Sequence, residues 1–106
     1  MQATAWKNTA SEVEGSIYGI RVGLLNRREH FPDETLEEVD LRMDGQFHTF
    51  RLLGGFWREC PEIRDDDAET ILNWLLRHHS LTWEPGNPPH LRLVPLGGRQ
   101  FELLPG

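Results

Sequence analysis

The segment LEEVDLRMDGQFHTFRLL, residues 36–53, constrains this chain more than any other stretch. Two alternating apolar and polar runs flank Asp44 and Gly45, a pair suited to the positive backbone angles of a type I′ turn, so the segment predicts a β-hairpin. With those two residues as the loop, Met43 faces Gln46, Leu41 faces His48, Val39 faces Phe50 and Glu37 faces Leu52. Val39, Leu41, Met43, Phe50 and Leu52 then form the core face. On the other face Glu38 pairs with Arg51, Asp40 with Thr49 and Arg42 with Phe47.

Weaker forms of the same signal organise the rest. Residues 1–15 are polar, with Trp6 and Val13 their only sizeable apolar groups, and read as an N-terminal arm ahead of a single domain over 16–106. From Ser16, the alternation of Tyr18, Ile20, Val22 and Leu24 with Gly19, Arg21 and Gly23 predicts a half-buried strand. Asn26–Pro32 breaks that pattern and reads as an irregular connection. After Gly54 and Gly55, FWRECPEIRDDD has neither period and reads as a packed loop or short extended stretch.

Consecutive carboxylates at Asp65 and Asp66 suit a helix start, and Ala68, Ile71, Leu72, Leu75 and His79 share one face, predicting an amphipathic helix over about 65–79. Ser80–Trp83 suits a short strand, and EPGNPP is a stiff turn segment. His90–Leu96 and Arg99–Leu104 predict a second hairpin around Gly97 and Gly98. A bulge near Pro95 sets Leu91 and Leu93 on the face of Phe101 and Leu103. The expected fold class is α+β: an antiparallel sheet of two hairpins plus one or two further strands, with one helix packed on one face.

Composition bounds the chemistry. The 106 residues suffice for one core, and the single cysteine, Cys60, precludes an internal disulfide. Eleven basic residues against seventeen acidic ones give a net charge of -6, which disfavours non-specific nucleic-acid binding. No run approaches the length of about 20 apolar residues that spans a bilayer, and no signal peptide pattern is visible, so no membrane association and a cytoplasmic, bacterial-type setting are expected.

Catalytic patterns are weak. His78 and His79 point about 100° apart on a helix and share a metal poorly, while Asp65, Asp66 and Asp67 read as capping groups, so neither metal nor cofactor is expected. Glu37 and Glu38 point to opposite faces of a strand and cannot work as an acid and base pair. A thiolate at Cys60, served by His30, His48 or His90, remains as an enzyme alternative.

Two surfaces stand out as binding candidates. Residues 16–28 hold three arginines and no acid, which makes Arg21, Arg27, Arg28 and His30 a candidate anion-recognition patch. Phe56, Trp57 and Arg58 follow two glycines and form a candidate contact loop, since Trp and Arg are frequent binding hot spots. The expectation is a small non-catalytic binding or adaptor module acting by protein–protein contact or self-association as a homodimer, through a sheet edge and the Trp57 loop. A nucleic-acid-associated protein using the arginine patch is the first alternative, and a small enzyme using Cys60 or a histidine the second.

Overall fold

A computed structural model describes residues 1–8 and 17–106. Its strands are β1 (Gln2–Asn8), β2 (Ile17–Arg21), β3 (Glu38–Met43), β4 (Gln46–Arg51), β5 (Glu62–Arg64), β6 (His90–Gly97) and β7 (Gln100–Leu104). The helices are α1 (Leu24–His30) and α2 (Thr70–His78), with a 3-10 turn over Gly54–Trp57. One seven-stranded sheet runs in the order β4-β3-β7-β6-β1-β2-β5.

The central hairpin stands in its expected register, with Met43 opposite Gln46, Leu41 opposite His48 and Val39 opposite Phe50. Asp44 and Gly45 take φ of 50° and 84°, as a type I′ turn requires. Glu38 faces Arg51 in the ladder, but its carboxylate bonds Arg99 at 3.2 Å, because Arg99 also reaches Asp40 at 3.1 Å and bridges both acids. The second hairpin carries its bulge between Pro95 and Gly97, which aligns Leu93 with Leu103 and Pro95 with Phe101.

The fold is α+β, as expected, with more sheet and more helix than the sequence pattern revealed. The sheet is mixed, because β3 and β7 pair in parallel through Asp40–Arg42 and Gln100–Glu102. The supposed arm contains β1, a strand between β6 and β2 whose inward residues are Ala3 and Ala5. Residues 9–15 of that arm, with Val13, and Ser16 at the expected strand start lie outside the described residues.

The strand read from Ser16 to Leu24 ends at Arg21, and the connection read as irregular is mostly α1. Gly23, at φ 88°, turns the chain from one into the other. Ser80–Trp83 forms no strand; Ser80 Oγ instead accepts the Thr82 N–H at 3.1 Å in a local turn. Residues 62–64 of the unassigned stretch add β5 to the edge of β2. Helix α2 starts at Thr70, a turn later than the carboxylates that cap it.

The sheet curls until its edge strands β4 and β5 approach each other without a shared ladder. Its concave side holds the core: Ile20, Val39, Leu41, Phe50, Ile63, Leu91, Leu93, Phe101 and Leu103, with Ile71, Trp74 and Leu75 contributed by α2. Helix α1 buries none of its own residues. Its ends hold it: Asn26 Nδ2 donates to Gln2 O at 2.7 Å and Val22 O at 2.9 Å, and Phe31, just past the helix, stacks on Phe101 at 4.7 Å.

Candidate functional site

The two surfaces suspected from sequence meet at one corner, but most of their polar groups are spent on the fold. Arg27 donates from Nη1 to Phe56 O at 2.8 Å and Arg58 O at 3.0 Å, tying α1 to the 3-10 turn. Phe56 is buried and meets Phe31 edge-on at 5.2 Å. Trp57 is half-buried, with its indole N–H on Leu36 O at 3.1 Å. Arg58 is exposed and folds back on Gly54 O at 3.4 Å, and His30 lies 3.8 Å from Glu29. Arg28 is exposed on α1 beside Leu24 and Leu25, which are 54% and 71% exposed.

Arg21 belongs to another surface. It lines an open cleft of about 380 Å³ with Ala5, Trp6 and Lys7 of β1 and Trp83, Pro85, Gly86 and Pro88 of the following loop. The local sequence explains the placement. Alternation on β1 sends Ala3 and Ala5 inward and Trp6 to the outer face, where it crosses Gly19 of β2 and meets Arg64 of β5. The Arg64 guanidinium lies 5.2 Å from the Trp6 ring centre.

The loop is fastened over β1 at two points. Ala5 N–H donates to Pro89 O at 2.9 Å, while Lys7 Nζ and the Tyr18 hydroxyl both donate to Leu81 O, at 3.3 and 3.2 Å. Lys7 Nζ also stands 4.5 Å from the Trp83 ring centre, and Tyr18 meets that ring edge-on at 6.4 Å. Two indoles and two cations thus share one concavity whose lining contains no carboxylate. The Arg21 guanidinium has no hydrogen-bond or ion-pair partner among the described residues, although Glu62 faces it across the β2–β5 ladder. This arrangement presents charge-assisted donors beside flat aromatic surface.

The remaining titratable groups are occupied structurally. Asp44 joins the hairpin turn to the end of α2, 3.0 Å from Arg77 Nη2 and 2.9 Å from His78 Nε2. Partial burial raises its carboxyl pKa, but the bonds to His78 and Arg77 outweigh that and hold it below the ordinary range. Asp65 is pushed up, chiefly by burial, despite accepting N–H groups of Ile71 at 2.7 Å and Leu72 at 2.9 Å. Asp66, opposed by burial but bonded by Thr70, is held low.

Cys60 is exposed, and no hydrogen bond joins its thiol to His30, His48 or His90; His90 bonds Gln2 at 3.0 Å, His30 lies 3.8 Å from Glu29, and His48 is near Asp66. Among the described residues no three His, Cys, Asp or Glu side chains gather as a metal site would require.

Of the residues lining this cleft, only Arg21 stands among the binding candidates read from the sequence. Trp6 and Lys7 fall in the segment that reads as an N-terminal arm, and Trp83 at the end of the expected Ser80–Trp83 strand. The available signal was the alternation of Ala3 and Ala5 with Thr4 and Trp6 within QATAWKN, muted because the inward residues are only alanines. No protein-family model, curated protein or solved structure matches this chain, so its site is read from its own geometry.

Proposed function

We propose that this protein is a small binding module that takes an anionic ligand in the cleft formed by β1, β2 and the 81–89 loop. The observation that carries this reading is Arg21, an unpaired guanidinium flanked by Lys7, Trp6 and Trp83 in a chain whose net charge is -6. In so acidic a molecule, a guanidinium without a side-chain partner, in a cleft whose lining holds no carboxylate, is well placed to receive a negative charge. The Trp57 loop is a poorer candidate, since its indole N–H and the nearby carbonyls already have partners.

Titration with inorganic phosphate, followed by proton–nitrogen correlation spectra, tests the reading. Shifts confined to Trp6, Lys7, Arg21 and Trp83, lost in Arg21→Glu and retained in Arg92→Ala, are the expected result. An unchanged cleft under a large excess of phosphate rejects it.

A protein-contact reading has its own support in Leu24 and Leu25, which project from a helix that buries no residue. Sedimentation over a range of concentrations should then show a dimer that Leu25→Glu abolishes. A monomer at all concentrations removes self-association through α1.

A further inference from the structure

Resting on the anion-cleft reading, we infer that the cleft's ligand is a nucleotide unit: a planar ring bearing a phosphate, bound with the ring against Trp6 or Trp83 and the phosphate at Arg21. Size is the first argument. A volume of about 380 Å³ falls within the range of small-molecule sites, about 300–1,000 Å³. Chemistry is the second. A bare anion needs only the cations, whereas here two indoles line the same concavity, and flat aromatic surface is how proteins hold a base without reading its identity.

Stiffness is the third argument. Pro85, Pro88 and Pro89 fix the loop that carries Trp83, and the bonds to Leu81 O and Pro89 O fasten it on both sides of that residue. The ring-binding wall is therefore formed before a ligand arrives, which lowers the ordering cost of binding.

Net charge decides against a long polyanion. Charges beyond about 8 Å are largely screened at physiological ionic strength, so a single phosphate at Arg21 responds mainly to the local cations. A polynucleotide running outward would meet acidic surface, including the Asp65–Asp67 run past the end of β5. The ring-plus-phosphate chemistry is shared by a free nucleotide and by the terminal nucleotide of a strand, and binding measurements separate the two.

The experiment titrates the full chain with adenosine monophosphate, inorganic phosphate, adenosine and a short single-stranded oligonucleotide carrying a terminal phosphate. The indole N–H signals of Trp6 and Trp83 report the cleft, and those of Trp57 and Trp74 serve as references. Adenosine monophosphate should shift only the cleft pair and bind at least about tenfold more tightly than phosphate or adenosine, a difference of about 1.4 kcal/mol. Arg21→Ala should weaken it about tenfold, with partial recovery in Arg21→Lys.

An oligonucleotide that competes with the nucleotide, with a salt dependence of more than one phosphate, identifies a strand as the source. One that competes no better than the free nucleotide identifies the mononucleotide. Phosphate binding in the cleft with no gain from the ring overturns the nucleotide inference and leaves the anion reading standing. Silence of Trp6 and Trp83 toward every anion overturns both.

Discussion

At Gly19 the absence of a side chain lets three strands close beneath the cleft. A Cβ there would strike the Ile63 carbonyl oxygen and stand 3.1 Å from Trp6 Cε3 and 3.2 Å from Arg64 Cα. Backbone on one side and a packed indole on the other leave little room to yield. Gly19→Ala should therefore lower the unfolding free energy by about 2 kcal/mol, in line with overpacked cores, and displace Trp6. Denaturant melts with Trp6 and Trp83 signals as reporters check this, and a wild-type midpoint would mean that β5 moves aside freely. The glycine was visible in the sequence, but its reason was not. Its neighbours Trp6 and Ile63 come from distant segments, and only the assembled sheet shows that they meet.

Among the elements, those specified by local chemistry were legible and those specified by neighbours were not. Asp44-Gly45 sets a turn, and a turn of two residues fixes the register of both strands, so the central hairpin could be read residue by residue. Strand β1 buries alanines, and helix α1 buries nothing, so neither displays the apolar period that marks a strand or a helix. The parallel contact of β3 with β7 joins segments about 60 residues apart and has no local signature.

Helix α2 lies between these cases: its apolar face was readable, while its start was displaced by the extended reach of Asp65. That carboxylate accepts the N–H groups of Ile71 and Leu72, six and seven residues onward. Asp65→Ala leaves both donors open and should cost about 1 kcal/mol, whereas Asp65→Asn keeps an acceptor and should cost less. Burial raises the Asp65 pKa in the fold, so the native state holds this proton more firmly than the unfolded chain. The wild type should gain stability relative to Asp65→Asn as pH falls through the carboxylate range and lose that gain as pH rises through the folded-state pKa. Thermal melts of the two proteins across that range measure the difference; a gap that widens in the opposite sense refutes it.

For the molecule as a whole, the position of β1 matters most. The radius of gyration is 13.0 Å, that of a compact chain of about 100 residues, and β1 lies inside the sheet, bonded to β2 on one edge and β6 on the other. Removing residues 2–8 takes out an interior strand together with three cleft residues, Ala5, Trp6 and Lys7. Loss of the cooperative thermal transition is expected, observable by circular dichroism, and a truncated chain that melts like the wild type would show that β2 can pair with β6 unaided. The same connectivity governs birth on the ribosome. Gln2–Asn8 is made well before the partner of its second edge, Leu91 and Arg92, which is translated almost ninety residues later. At about 5–20 residues per second the nascent strand waits roughly 4–18 s with that edge bare, a window in which a chaperone or another polypeptide can reach it first.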